Sequence, residues 1–497
     1  MKHFIQYIIY FFETRIQKTW RLMVNHNAYR HGAEVANADL GNDDKQILLK
    51  QLKKYQKSRP VGPVKTICFA PTRSVYFGFS GKVVPCCFNR DFVYGEFPAQ
   101  SLEEILNGEK RTQLQKNLDI SNFTMGCEHC RRQIYAGNFD GVEARLYDRL
   151  KSKTKYPTEM IFELDNTCNL ECVMCTPEFS SALQRVCGID SHTHSIYDNG
   201  FIDQLKPYLN HLQVAKFLGG EPFLIKAYYD IWEELIRVNP DCFINLQTNG
   251  TVCNEKIESL LRRGRFQIGV SIDSLQPQRF EEIRKNACFE TVMAHLDTFI
   301  KYTRKSGGFV NISVCPMLQN WEEIPDLVNF CNKKGVFVYF NTVYTQGFSL
   351  QDASFSLLAD VLQKYRSARL TGMNYAARRN RRFFENLISQ IELWYSVNHK
   401  NETYRIATHD FSREMLAAAL LDKCGMNREK HTNTVLEAVQ FLPETFLLSQ
   451  YQLEELEALK GHDVAVTVES ESIESLVRRL MHFLDCGSFH PDRPKSV

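Results

Sequence analysis

Between residue 158 and about residue 345 the chain alternates short apolar runs of strand length with longer stretches whose apolar residues recur at helical spacing. That alternation is the signature of βα units around a parallel sheet. The runs fall near Met160 to Leu164, Val214 to Leu218, Cys242 to Gln247, Gln267 to Ile272, Phe309 to Val314 and Val336 to Asn341. Six such units predict an α/β fold, a partial (β/α)6 barrel of open, TIM-like form. Barrel active sites lie at the C-terminal ends of the strands, and the first four predicted strands end in chemically useful residues. The first leads to Cys168, Cys172 and Cys175, the second to Gly219, Gly220, Glu221 and Pro222, the third to Thr248 and Asn249, the fourth to Ser271 and Asp273.

The flanking regions read differently. Residues 1–63 are expected to form N-terminal helices and a linker, with Phe4, Ile5, Ile8, Ile9, Phe11, Phe12 and Ile16 at helical spacing and a polar, basic stretch from Asp39 to Pro63. The apolar stretch is too short to span a bilayer. A helix docked on protein is the plainer reading of it, and contact of residues 4–16 with a membrane surface the alternative. Residues 64–150 hold five cysteines in a pattern of their own and are expected to form a small α+β cluster-binding domain, with the barrel at 151–345. Residues 346–497 are expected to be a mostly helical C-terminal domain, from Leu357, Val361 and Tyr365 and from Leu453, Leu456 and Leu459, with one strand at Asp463 to Val468. No chemistry attaches to this last region, where Trp394, Tyr395 and His409 read as core or surface residues.

Composition narrows the function classes. With 44% hydrophobic and 24% charged residues the chain reads as a soluble globular protein. A formal charge of +2 over 497 residues makes no case for a nucleic-acid partner, and the basic run Arg378 to Arg382 reads as the solvated face of a helix. Sixteen cysteines are too few for a disulfide-stapled secreted domain, and no secretory signal is evident. A reducing, cytoplasmic setting with metal-bound thiolates is the expectation.

Cys168, Cys172 and Cys175 are spaced C-x3-C-x2-C directly after the first strand. Three thiolates hold three corners of a 4Fe–4S cube and leave one iron without a protein ligand, a place to bind and activate something. The plainer alternative is a fragment of a zinc site, but structural zinc takes four ligands and none follows before Cys187 and His192. With Asn166 to Cys175 around the cysteines and Gly219 to Pro222 after the second strand, the chain resembles the radical S-adenosylmethionine (radical SAM) superfamily. The resemblance implies that SAM chelates the open iron and that its reductive cleavage gives a 5′-deoxyadenosyl radical. It further implies that Gly219, Gly220, Glu221 and Pro222 meet the methionine part of SAM, with Glu221 or an adjacent carbonyl accepting from its ammonium. Thr248, Asn249, Ser271 and Asp273 would meet its ribose, carboxylate or sulfonium end. Each of these loops is also explained by ordinary turn chemistry. Met174 stands where many members of the family carry an aromatic residue, and a thioether packs there too.

A second set, Cys68-x12-Gly81-x4-Cys86 followed by Cys127-x2-Cys130, resembles the SPASM or twitch extension of radical SAM enzymes. No cysteine lies between Arg131 and Gly141, which favours the shorter form with one auxiliary 4Fe–4S cluster. Gly81 is expected to turn a hairpin from Tyr76 to Pro85 that presents Cys86 towards Cys68. Cys87 is the alternative ligand, but adjacent residues on an extended chain face opposite ways, so one of the two serves. A four-cysteine zinc site is the rival here. The extension precedes the barrel, whereas relatives usually carry it afterwards.

The reading is a radical SAM enzyme, an oxidoreductase or isomerase in type, modifying a peptide or protein by crosslinking, epimerisation or oxidation. A sugar or small metabolite as substrate is the alternative within enzymes, and a non-catalytic iron–sulfur or zinc scaffold the rival outside them. The implied electron donor is a flavodoxin or ferredoxin. Cys315, after the fifth strand, is the candidate hydrogen donor, against the plainer reading of a small buried hydrophobe, and Asn341 and Tyr344 are candidate substrate contacts.

Overall fold

A computed structural model describes residues 42–449 except 136, 152–155, 190–195, 346, 407 and 425–427, together with single positions between 456 and 484. The apolar stretch at 4–16 lies outside the described residues.

The six expected strands form within two residues of their predicted bounds: β4 (Glu159–Glu163), β6 (Val214–Phe217), β7 (Phe243–Thr248), β8 (Arg265–Ser271), β10 (Phe309–Val314) and β11 (Phe337–Phe340). The hairpin about Gly81 forms as β1 (Ser74–Gly78) and β2 (Lys82–Val84), with a short β3 (Gly95–Glu96) beyond. Gly81 sits at φ +85, and a Cβ there would lie 2.2 Å from the Phe97 carbonyl oxygen, so the turn requires glycine.

All nine strands belong to one sheet, in the order β11-β10-β8-β7-β6-β4-β1-β2-β3. The cysteine-rich N-terminal segment is therefore continuous with the barrel sheet. β1 pairs in parallel with β4 over five residues, Ser74↔Glu159 to Gly78↔Glu163. An aromatic row crosses this seam: Phe77 stacks on Phe162 at 5.5 Å and Phe162 on Phe217 at 5.0 Å. Such ring pairs add about 0.5–1.5 kcal/mol each beyond the area they bury. The helix Lys226–Val238 covers the row with Trp232, edge-on to Phe217 at 5.4 Å.

Alternation along the strands sends one set of side chains to the helices and the other to the concave interior. Ile244, Leu246, Ile268, Val270, Val310 and Ile312 go to the helix layer and are buried. Lys216, Asn245, Gln247, Gln267, Asn311 and Ser313 occupy the alternate positions, so the interior wall is polar. Gln247 joins Ser271 Oγ at 2.8 Å and Ser313 Oγ at 2.8 Å, and Asn245 reaches Gln267 at 3.3 Å. Both interior cations near β4 are paired, Lys216 with Glu159 at 2.8 Å and Arg90 with Glu163 at 2.9 Å.

Two compact units emerge, Met1–Ser349 with Ala368–Leu387, and Leu350–Ser367 with Ile388–Val497. The first takes in both the expected cluster domain and the expected barrel. It also takes the start of the helix Tyr375–Ile406, where Asn380 accepts from Val338 N at 2.9 Å and donates to Val336 O at 2.9 Å, covering the open edge of β11. Among the described residues the second unit holds the helices Arg413–Lys423 and Arg428–Val439 and a hairpin of β12 (Thr408–Ser412) and β13 (Thr445–Ser449) that the sequence did not reveal. The strand expected at Asp463 to Val468 is not one: Val464, Ala465, Thr467 and Val468 are helical, and Val464 and Val468 pack into this unit's core. Burial at i and i+4 decided the period there.

Candidate functional site

The loop between β4 and the short β5 (Glu171–Cys172) carries Cys168, Cys172 and Cys175. It is held from three sides. Asp165 Oδ1 accepts from Thr167 N at 2.7 Å, Ser181 Oγ accepts from Cys168 N at 3.1 Å, and β5 pairs with β9 (Arg284–Lys285) through Cys172↔Arg284. The loop after β6 lies against it at backbone distance: Gly220 N donates to Asp165 O at 3.2 Å and Glu221 N to Thr167 O at 2.8 Å. A Cβ on Gly219 would meet Asp165 O at 2.4 Å, and one on Gly220 would meet Thr167 O at 2.3 Å. Both glycines are thus required by the approach of the two loops.

Glu221 is fully buried behind them. Its carboxylate accepts from Phe223 N at 3.1 Å, Thr248 Oγ1 at 2.7 Å and Asn249 N at 2.7 Å. Burial pushes it up to about 7 despite these donors. The carboxylate thus ties the Thr248 hydroxyl and the Asn249 backbone to this loop, and Pro222 begins the short turn that aims it. Asn249 likewise ties loops together, donating to Asn169 Oδ1 at 2.9 Å and accepting from Thr251 N at 2.9 Å. Of the third and fourth strand ends, Ser271 is the one on the interior wall, held by Gln247.

Asp273 is fully buried, accepts from Cys315 N at 2.7 Å and pairs with Arg284 at 2.7 Å. Arg284, which the sequence reading missed, lies with one guanidinium nitrogen 3.8 Å from Cys172 Sγ. Burial works against its charge, and Asp273 and Cys172 more than offset that. No local spacing marks it, since it faces Cys172 only through a two-residue ladder between segments 112 residues apart. Its Nε is buried without a partner, a donor left for a ligand. The Cys315 thiol packs with Met174, Ile283, Met317 and Val343, and burial pushes it up.

The second set also converges. Cys68, Cys86, Cys127 and Cys130 line one small cavity with Phe88, Leu114, Phe123 and Ala144. Ala70 N donates to Cys68 Sγ at 3.3 Å and Asn89 Nδ2 to Cys127 Sγ at 3.4 Å. Cys87 points the other way, into a cluster with Tyr76, Val84 and Ile161, its sulfur 3.9 Å from Glu143. Burial pushes Cys86 up to about 11, Cys127 to about 12 and Cys172 to about 11. Thiols raised in this way become ligands when a bound cation neutralises them.

Among the described residues the only set of three or more metal-ligand side chains with all ligand atoms within 4.8 Å of one another is the exposed Glu281, Cys288 and Glu290. One cysteine set offers three thiols and the other four, donors of the kind that iron–sulfur clusters take.

The Radical SAM superfamily model matches residues 163–331, and that of the SPASM iron–sulfur cluster-binding domain matches residues 68–131. Residues 163–331 thus match a radical SAM domain and residues 68–131 a SPASM-type cluster-binding domain. The chain's cofactors are accordingly 4Fe–4S clusters and SAM. Curated relatives include the GTP 3′,8-cyclase of Saccharophagus degradans, 26% identical over 188 residues, 37% of this chain and 53% of the relative. That of Synechocystis is 26% identical over 209 residues, 41% and 61%. The chain thus spans about half to three-fifths of these relatives. Among solved structures, anSMEcpe with bound AdoMet is 21% identical at TM-score 0.34, covering 42% of this chain and 59% of that one. Streptococcus suis SuiB bound to S-adenosylmethionine is 14% identical at TM-score 0.31, covering 47% and 48%. At these scores the structural likeness carries no argument. The cluster-binding match precedes the radical SAM match along the chain, and β1 pairs with β4 to join the two segments in one sheet. No described helix is long and apolar enough to cross a membrane.

Proposed function

We propose that this chain is a radical SAM enzyme that modifies a peptide or protein. When bound, the cluster and SAM supply a 5′-deoxyadenosyl radical that abstracts hydrogen from the substrate. Cys168, Cys172 and Cys175 hold the cluster, and Gly219 and Gly220 hold the second loop against it. Ser271 and Arg284, whose Nε is buried without a partner, would help to hold SAM. Cys68, Cys86, Cys127 and Cys130 hold an auxiliary cluster with every corner occupied, suited to taking or passing an electron. The observation that carries the reading is the convergence of the three thiols with the Gly219–Gly220 backbone at adjacent strand ends. A flavodoxin or ferredoxin is the proposed electron donor, and Cys315 the thiol to test for hydrogen return.

The nucleotide named in the curated relatives is not carried over. The substrate reading is tested by raising the host cells in deuterated medium and separating their peptides and proteins from small metabolites. Each pool is incubated with the reconstituted enzyme, SAM and dithionite. Deuterated 5′-deoxyadenosine from the peptide pool supports the reading; deuterium from the metabolite pool alone overturns it in favour of a sugar or small metabolite.

A further inference from the structure

Arg284 and Asp273 form a buried charge pair directly behind one of the three thiols. The β5–β9 ladder sets Arg284 opposite Cys172. From there the guanidinium reaches Cys172 Sγ at 3.8 Å on one side and Asp273 Oδ2 at 2.7 Å on the other. Asp273 is itself fixed by Cys315 N at 2.7 Å, and Asn320 Nδ2 donates to the Asp273 carbonyl at 2.8 Å. Side-chain exposure is 8% for Arg284 and 0% for Asp273, so neither charge is screened by water. Adding an electron to an iron–sulfur cluster adds negative charge. A fixed cation at a ligand sulfur stabilises the reduced form, and a fixed anion behind it weakens that effect.

We propose that Arg284 and Asp273 are positioning residues that set the reduction potential of the cluster at Cys168, Cys172 and Cys175, the arginine raising it and the aspartate lowering it. The inference rests on the function proposed above. The geometry makes the two residues opposed controls acting through one sulfur. Their order along the line matters: the cation touches the sulfur and the anion is one residue further away, so the cation dominates.

The test is an EPR-monitored redox titration of the reconstituted full chain without SAM, in a Cys86→Ser/Cys127→Ser/Cys130→Ser background so that the auxiliary cluster does not contribute. Arg284→Gln is expected to shift the midpoint to more negative potential and Asp273→Asn to more positive potential, with Arg284→Lys closest to the parent. Coincident midpoints in samples of full iron content, or shifts of the opposite sign, overturn the proposal. If Arg284→Gln fails to take up iron, the Asp273→Asn midpoint, read in a sample of full iron content, decides alone: its amide oxygen still accepts from Cys315 N, and the anion facing the guanidinium is gone. Full iron content with no potential shift refutes this inference while leaving the function standing; a parent that takes up no iron at the three thiols overturns both.

Discussion

The Glu221 carboxylate takes the Thr248 hydroxyl at 2.7 Å and, through its other oxygen, the Asn249 backbone N–H at 2.7 Å. One buried side chain thereby fixes the ends of β6 and β7 relative to each other, and through Gly220 fixes both to the cysteine loop.

This arrangement makes stability depend on pH in a defined direction. Burial lifts the Glu221 carboxyl from 4.5 to about 7. Between those values the folded chain holds a proton that the unfolded chain has released, so stability falls as pH rises from about 4.5 to 7, by up to about 3 kcal/mol. Glu221→Gln removes this component. Urea midpoints of the cluster-free protein at pH 5 and pH 7.5 are expected to differ less in the variant than in the parent; equal differences contradict the assignment.

Gly220→Ala places a methyl 2.3 Å from the Thr167 carbonyl oxygen. The contact is backbone against backbone, so one loop must move, at a cost of about 1–3 kcal/mol. Lower iron uptake at the three-thiol site with an undisturbed auxiliary cluster is the expected result, read by iron analysis and EPR.

Cys86 and Cys87 are adjacent but face opposite ways, Cys86 into the four-thiol cavity and Cys87 towards Tyr76, Val84 and Ile161. Cys86→Ser is expected to lower the iron content and alter the EPR signal of the auxiliary site, while Cys87→Ser leaves both unchanged. The reverse result would exchange the two roles.

The strands of the barrel were legible in the sequence because each is a short apolar run bounded by amphipathic helices. The thiols were legible because their spacing is itself the chemistry. Three things were not. The pairing of β1 with β4 joins segments 85 residues apart, which no local period encodes. Asp463 to Val468 alternates like a strand, yet Val464 and Val468 are buried on one helical face. Glu221, Thr248 and Asp273 read as ligand contacts at strand ends, and the sequence does not show the partners they have within the protein. Those pairings depend on long-range packing, which is also why Arg284 escaped notice.

The most direct test of the central claim is anaerobic reconstitution followed by iron and sulfide counting and a SAM-cleavage assay with dithionite. Wild type is compared with a variant in which Cys168, Cys172 and Cys175 are all alanine. The account predicts about eight irons in wild type, about four in the variant, and 5′-deoxyadenosine from wild type alone. Zinc in place of iron, or no 5′-deoxyadenosine from wild type, would contradict it.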